Sequence, residues 1–274
     1  MRIFLAGGSG VIGSRLVPRL AEAGHDVVAT TRRAENLEHL RERGAHGVVV
    51  DVYDAPLLAA VVDEAAPDLV LHELTDLSDY DTEANARLRH VGTANLVAAA
   101  QAAGVDRMIV QSIAWAYVDG DAPAVEDDAI EPGSPVATME GLVRRMPHAT
   151  VLRYGMLYGP GTWYAPGARI ADAVVAGLMA ATPAVTSFAH VDDVVEATVQ
   201  ALDWPDGAYN VVDDEPAPAT EWLPVYAEGL GAPAPSVQDL PVGTPRGRGA
   251  SNAKARGAGW RPTYASWRRG FPRA

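Results

Sequence analysis

Residues 2–13 read RIFLAGGSGVIG, an apolar run of strand length that meets a glycine cluster, and a helical pattern begins directly after it. Within the cluster, Gly7, Gly10 and Gly13 keep a three-residue spacing. In such a strand-to-helix turn, one glycine permits the tight turn, one lets the backbone approach a pyrophosphate, and one lets the helix pack on the strand. The N–H groups at the start of the helix then face the anion. The stretch therefore predicts a dinucleotide-binding turn, and a tight turn without a ligand is the alternative.

Strand-like and helix-like segments alternate through the first half of the chain. Strands are predicted at 2–6, 25–31, 46–50, 68–72, 106–112, 149–154 and 209–212, and helices at 11–23, 34–43, 54–65, 83–103, 135–146, 190–203 and 220–230. Six β-α steps of this kind predict an α/β fold, a doubly wound parallel sheet of the Rossmann type. Ligands of such sheets bind at the carboxyl ends of the strands.

After residue 155 the pattern changes, and glycine, proline and aromatic residues fill the segment 159–167. We therefore expect a dinucleotide-binding domain at 1–155. A small C-terminal lobe at 156–274 is expected to be mainly substrate-binding, with 190–213 returning to the main domain.

The composition excludes several classes of function. A formal charge of −13 makes nucleic acid and anionic membrane surfaces poor partners. The absence of cysteine excludes disulfides and thiolate chemistry, and no continuous apolar stretch has the length of a membrane span. The chain begins with a core strand in place of a signal peptide. These features predict a cytoplasmic enzyme with a small-molecule substrate and no metal.

Several longer motifs follow the glycine turn in a fixed order: VGTANLVAAAQAAGV at 91–105, LRYGMLYGPGT at 152–162, HVDDVVEATVQAL at 190–202 and SNAKARGAGWRPTY at 251–264. The series resembles the extended short-chain dehydrogenase/reductase superfamily of the NAD-dependent epimerase/dehydratase type, over nearly the whole chain. The resemblance implies an NAD(P)-dependent oxidoreductase acting on a carbonyl or alcohol of a small metabolite or sugar-like substrate. The alternatives are a non-redox isomerase, cyclase or lyase, and a nucleotide sensor without catalysis.

The end of the second strand bears on the choice of cofactor. In the resembling family this position contacts the adenosine ribose, where an acid favours NAD and a nearby arginine accommodates a 2′-phosphate. Here the segment is Thr30-Thr31-Arg32-Arg33, with no carboxylate before Glu35. We therefore expect NADP in preference to NAD, unless the two arginines only begin a solvated helix. The predicted cofactor-binding residues are Gly7, Ser9, Gly10, Val11, Ile12, Gly13, Arg32, Arg33, Asp51, Val52, Leu74 and Thr75.

The family's usual catalytic pair is missing. Typical relatives use Tyr-x-x-x-Lys on the helix after strand five, where the tyrosine transfers a proton and the lysine lowers its pKa. Alignment back from Glu140 places these positions near Pro132 and Val136, neither of which can do this chemistry. The only lysine of the chain is Lys254, and no tyrosine lies between 118 and 153.

By elimination, the predicted catalytic residues are Ser112 at the end of strand five, Tyr117 in the same loop, and Tyr154 at the end of strand six. For each tyrosine, packing or shaping of the substrate pocket is the alternative. Trp163 and Tyr164 are predicted to bind substrate, unless they lie in a surface loop.

Other polar groups near the strand ends are expected to have structural roles. We expect His72 to be a core histidine. Asp192 and Asp193 are explained by helix capping and the helix dipole, and Asp213-Asp214-Glu215 reads as a solvated turn.

The resemblance also implies a homodimer, because relatives commonly pair through the helices at 83–103 and 135–146. The first of these carries small apolar residues that allow close packing: Ala94, Val97, Ala98 and Ala102.

Overall fold

The computed structural model describes residues 1–77 and 81–272. Its strands are β1 (Arg2–Ala6), β2 (Asp26–Thr31), β3 (Ala45–Val49), β4 (Leu69–His72), β5 (Arg107–Ile113), β6 (His148–Tyr154), β7 (Met156–Tyr158), β8 (Val185–Thr186), β9 (Phe188–His190), β10 (Gly207–Val211) and β11 (Ala217–Pro218). Its helices are α1 (Gly13–Glu22), α2 (Leu37–Glu42), α3 (Ala55–Ala65), α4 (Thr82–Arg87), α5 (Thr93–Ala102), α6 (Pro135–Val143), α7 (Arg169–Val175), α8 (Val191–Gln200), α9 (Ala219–Gly229), α10 (Ala253–Gly257) and α11 (Trp267–Gly270).

The main sheet has seven strands in the order β10-β6-β5-β4-β1-β2-β3. β1 lies in its middle and pairs in parallel with β2 and with β4, so that Ile3 faces Val27 on one side and Leu69 on the other. The chain therefore reverses its direction of winding between β3 and β4, and the carboxyl ends of β1 and β4 adjoin this switch point. The predicted α/β class and doubly wound sheet are confirmed, and β10 is the seventh strand.

Local capping signals explain where several helices begin. The side chains of Asp54, Asp81 and Ser134 each accept a hydrogen bond from a backbone N–H in the first turn of α3, α4 and α6, respectively. Pro135 follows its cap directly, and proline suits this position because the N–H it lacks has no partner there.

The chain divides into two compact units. The first comprises 1–112, 132–152 and 198–208, and the second comprises 113–131, 153–197 and 209–274. The segment 113–131 thus groups with the second unit, whereas the division predicted from the sequence assigned it to 1–155.

The first unit has an apolar core beside the sheet. α3 packs on α5, and α5 on α6. Between the sheet and these helices lie buried residues from every layer, among them Phe4, Leu58, Val70, Leu96 and Met139.

The second unit is built around aromatic side chains. Phe188 of β9 is fully buried at its centre. Its ring meets those of Tyr158, Tyr164, Trp222 and Phe271 edge to face, with centroids 5.2–6.0 Å apart. Edge-to-face contacts place the positive edge of one ring against the negative face of the next and stabilise the core beyond the area that they bury.

Two acidic residues of the second unit differ from expectation. The predicted solvated turn at 213–215 is wrong for Asp213, whose carboxylate is buried and accepts hydrogen bonds from the N–H groups of Glu215 and Trp267. Its burial raises the pKa of this carboxyl to about 8. Asp193 does more than cap a helix, because its carboxylate accepts the N–H groups of Thr263 and Tyr264. Both acids fasten the last part of the chain to the core.

The helix predicted at 83–103 is interrupted. A π-helical turn at Leu88–Gly92 separates α4 from α5. Such turns accommodate one extra residue and occur frequently at functional sites. Directly after it, the hydroxyl of Thr93 lies 2.9 Å from Nε2 of His72 at the end of β4.

Within the described residues, no helix is long and apolar enough to cross a membrane. In the same ranges, no group of three or more His, Cys, Asp or Glu side chains is placed to hold a metal ion.

Candidate functional site

The glycine turn at the end of β1 is closed by backbone contacts that leave no room for side chains. Gly7 adopts φ +98°, and a Cβ there would lie 2.9 Å from the carbonyl oxygen of Glu73. A Cβ on Gly13 would lie only 2.2 Å from the carbonyl oxygen of Gly7. α1 therefore begins directly against the turn, with no acidic residue and no side-chain cap in its first turn. This surface is free for an anion, and it fits the pyrophosphate of a dinucleotide.

Hydrogen-bond donors surround the end of β2. Thr31 is buried, and its hydroxyl oxygen accepts from the hydroxyl of Ser9 at 3.0 Å and the amide of Asn36 at 3.2 Å. Arg32 and Arg33 follow on the surface. Arg32 forms an exposed ion pair with Asp76 at 3.4 Å, while no described residue pairs with the guanidinium of Arg33.

The other predicted cofactor residues lie at the ends of the following strands. Asp51 is exposed, and its carboxylate accepts the N–H of Tyr53, while Val52 is buried beside it. Leu74 follows β4, and its carbonyl accepts the side-chain amide of Gln111 at 3.0 Å; Thr75 beyond it is exposed. Their contact with a cofactor stays a prediction.

His72 at the end of β4 is a buried core histidine, as expected. The N–H of Leu74 donates to Nδ1 at 3.3 Å, so Nε2 carries the proton that is donated to Thr93. Burial lowers the pKa of this imidazole to about 4, and the ring is neutral at pH 7.

Ser112 lies at the end of β5, in the first unit, with its hydroxyl turned into the protein. It donates to Oε1 of Glu140 at 2.7 Å. Glu140 is itself fully buried on α6, and its second oxygen accepts Arg144 at 2.6 Å. Val136, at the position expected for the family lysine, is buried on the same helix, and Pro132 is exposed before it. Ser112 thus fixes α6 to the sheet.

Tyr117 belongs to the second unit, where it is part of a polar network. Its hydroxyl donates to Oδ1 of Asn210 at 2.6 Å and accepts from Arg153 at 2.7 Å. Arg153 is only 3% exposed. It also donates to the carbonyl of Glu126, whose carboxylate accepts the N–H of Asn210. Burial raises the pKa of Tyr117, while Arg153 acts in the opposite direction, so the phenol keeps its proton at neutral pH.

The remaining predicted aromatic residues also lie in the second unit. Tyr154 is buried, and its carbonyl accepts the N–H of Ala114. Tyr164 is buried in the aromatic core, and its carbonyl accepts the hydroxyl of Tyr226 at 2.7 Å. Trp163 is half-buried beside it. The roles of these residues in catalysis or substrate binding stay predictions.

A model of the NAD dependent epimerase/dehydratase family matches residues 3–212. The chain belongs to this family. The resemblance seen in the sequence is confirmed, and with it an NAD(P)-dependent enzyme of the epimerase/dehydratase type.

Relatives and solved structures agree over the full length. The chain is 43% identical over 309 residues to a 3-diazoavenalumate denitrifying reductase from a Streptomyces species, and the match covers all of both chains. It is 30% identical to a UDP-glucose 4-epimerase from Mycolicibacterium smegmatis, covering 97% of this chain and 95% of the relative. The crystal structure of the Thermus thermophilus UDP-glucose 4-epimerase in complex with NAD superposes with a TM-score of 0.79 at 26% identity, covering 98% of this chain and 96% of the epimerase.

Sequence reasoning missed the partners of the predicted residues. Asn210 bonds Tyr117 from 93 residues away, and Glu126 bonds Asn210 and Arg153; nothing in the local sequence of either residue indicates these contacts. Arg153 carries a detectable signal, because an arginine inside an apolar strand must find a buried partner.

We predict that Gly10→Leu abolishes cofactor binding without unfolding the protein. Gly10 is exposed, and a Cβ there meets only the carbonyl of Gly7 at 3.3 Å, so the domain tolerates the substitution. The larger side chain covers the surface where a pyrophosphate would approach. Titration with NADPH measures the effect, and Gly141→Leu, exposed on α6 of the same unit, is the matched control. Unchanged affinity in a folded Gly10→Leu protein contradicts the prediction.

A second prediction concerns His72 and acid stability. Its folded pKa of about 4 lies below the unfolded value of 6.5, so between these values only the unfolded state binds the proton. Stability therefore falls as the pH falls from 6.5 to 4, by up to about 3 kcal/mol. His72→Gln keeps a donor for Thr93 and removes this dependence.

Thermal melts between pH 7 and pH 4.5 test the effect of His72. His46→Gln, a change at an exposed histidine, is the control. As the pH falls, we expect the Tm of the wild type and of His46→Gln to decrease more steeply than the Tm of His72→Gln. Parallel curves for all three proteins contradict the assignment.

Proposed function

We propose that the chain is an NADPH-dependent reductase that removes a diazo group from an organic substrate and releases dinitrogen. One observation carries the proposal: an enzyme of this family lacks the tyrosine and lysine that move a proton to a substrate oxygen. The full-length similarity to a denitrifying reductase of a diazo compound supports the same chemistry.

The proposed reaction explains why the pair is dispensable. Bound NADPH supplies a hydrogen together with its electron pair. In a diazonium cation, the carbon–nitrogen bond breaks and both of its electrons leave with dinitrogen, while the incoming pair forms the new carbon–hydrogen bond. Charges and atoms balance without a proton from the protein. Carbonyl reduction, in contrast, creates an alkoxide that must be protonated.

The residues of this chain then have positioning roles. The first unit offers the glycine turn and the donors around Thr31 to hold the cofactor. In the second unit, Arg153 and Asn210 hold the hydroxyl of Tyr117 on both sides. A phenol so held keeps its proton and shapes the site without taking part in a proton transfer.

Reduction of a carbonyl is the second candidate, and the raised pKa of Tyr117 is the observation that favours it. A protonated phenol can donate to a developing alkoxide. In this second candidate reaction, Tyr117 is the general acid that protonates the alkoxide, and Tyr154 is the alternative general acid. Ser112 binds the substrate oxygen. Removing a general acid then costs about 10²–10⁴-fold in rate.

One set of variants distinguishes the two reactions. Purified protein is mixed with NADPH and an isotope-labelled arenediazonium salt, and dinitrogen release is followed with NADPH oxidation. We expect Tyr117→Phe, Tyr154→Phe and Ser112→Ala to keep most of the turnover, and Gly10→Leu to lose it. A reaction seen only with carbonyl substrates, and lost in Tyr117→Phe, overturns the diazo proposal in favour of the second candidate.

We also propose that the enzyme prefers NADPH to NADH. The end of β2 offers donors from Ser9, Arg33 and Asn36, and no acid to receive the ribose hydroxyls. A guanidinium binds phosphate in a bidentate, charge-assisted manner.

Arginine variants measure this preference. Loss of one such contact costs about 1.5–3 kcal/mol, or about tenfold or more in affinity. We expect Arg33→Ala or Arg32→Ala to lower the affinity for NADPH by this factor and to leave the affinity for NADH unchanged. Arg41→Ala, which removes an exposed arginine of nearby α2 paired with Glu38, is the control. Equal affinity of the wild type for NADPH and NADH contradicts the proposed preference.

We further propose a homodimer that pairs through α5 and α6. Ala98 and Ala102 are exposed on α5, Ala94 is half-buried, and Val97 is buried in the core of its own unit. Small exposed residues allow two helices to pack closely. Light scattering at micromolar concentration tests this, and a mass near the 28.8 kDa of one chain contradicts it.

A further inference from the structure

The second unit contains a pocket of about 240 Å³, and Tyr117 of the proposed site is among the residues that line it. It is lined by Ala114, Trp115, Tyr117, Met156, Val185, Thr186, Ser187, Gly247, Arg248 and Gly249. Arg248 is the only charged side chain of this lining.

We propose that this pocket binds a substrate with a single aromatic ring and a short tail, and not a nucleoside diphosphate sugar. That the substrate carries a diazo group rests on the proposed function. That it carries an aromatic ring rests on the size and lining of the pocket alone.

The size of the pocket sets the first limit. An apolar cavity of about 150 Å³ holds one benzene molecule. The volume of about 240 Å³ therefore accommodates one ring with a few further atoms. Sites for larger, drug-sized ligands begin at about 300 Å³.

The lining favours an aromatic face. The indole of Trp115 is 53% exposed, which is unusual for the largest side chain and leaves its face open for stacking. The thioether of Met156 is a favourable neighbour for a ring.

Two glycines, Gly247 and Gly249, form part of the wall of the pocket. Gly247 and Gly249 both have φ +69°, and Cβ atoms there would lie 3.0 Å from the carbonyl oxygen of Val185 and 2.5 Å from Pro216. The N–H of Gly247 donates to Asp119, which fixes this wall.

The charge of the lining argues against a diphosphate. Arg248 is the single cation, and it is already compensated: its guanidinium donates to Asp128 at 2.8 Å and to the carbonyl of Ala122 at 2.5 Å. A group with two or more negative charges would enter without a free counter-charge, which is costly. A ring with at most one charge has no such penalty.

Calorimetry with the full chain tests the proposal, with 4-hydroxycinnamate as the aromatic probe and UDP as the diphosphate probe. We expect the wild type to bind the first and not the second. Thr186→Trp fills the pocket and should abolish binding of the aromatic probe. Trp115→Ala removes one stacking surface and should weaken it about twofold to tenfold. Leu178→Trp introduces the same side chain at an exposed position of the same unit and should leave the affinity for the aromatic probe unchanged.

The outcomes separate this inference from the proposed function. If Thr186→Trp does not fold, Trp115→Ala at the exposed rim decides the question. Aromatic binding that is lost in these variants supports the pocket, and it does so even when no dinitrogen is released, a result that overturns only the proposed reaction. Binding of UDP in competition with the aromatic probe, no binding of the aromatic probe to the wild type, or unchanged affinity in the folded variants overturns the inference.

Discussion

The approach of two backbone segments at the end of β1 is the constraint on which the nucleotide-binding half depends. The carbonyl of Gly7 lies where a side chain at Gly13 would have to be, and the carbonyl of Glu73 lies where a side chain at Gly7 would be. Because neither residue has a Cβ, α1 can begin beside β1, and β4 can end beside both. The same contacts place the buried His72 next to the turn and set the end of β2 within reach of Ser9. Replacing either glycine would separate elements that the cofactor surface needs together.

The two units balance polar groups in different ways. In the first, neutral groups at the strand ends pair inside the protein, as His72 does with Thr93 and Ser112 with Glu140. In the second, a buried arginine is satisfied by a phenol and a backbone carbonyl. A cation at that depth is tolerated because its partners are fixed by the surrounding chain. This arrangement gives the hydroxyl of Tyr117 a defined position.

Local sequence patterns predicted the sheet because its strands are apolar runs punctuated by glycine, and the glycine spacing specified the turn. They failed where structure depends on distant partners. Asp213 looks like part of a polar turn, yet donors from residues 215 and 267 permit its burial. The helix at 83–103 shows a regular pattern, and its π-helical turn follows from no residue type within it. For the candidate site, the residues at the strand ends could be predicted. Their partners could not, because Glu140 reaches Ser112, and Asn210 reaches Tyr117, only in the folded chain.

The fastening of the last part of the chain has a consequence for synthesis on the ribosome. Asp193 and Asp213 are buried acids that accept the backbone N–H groups of Thr263, Tyr264 and Trp267. Trp260 and Trp267, both fully buried, complete the same region. While the nascent chain still lacks these residues, Asp193 is without the N–H groups of Thr263 and Tyr264, Asp213 keeps only the N–H of Glu215, and the aromatic core has a gap. The second unit therefore cannot close until residues 260–267 have been synthesised, whereas the first unit, whose segments end at residue 208, is available to fold earlier.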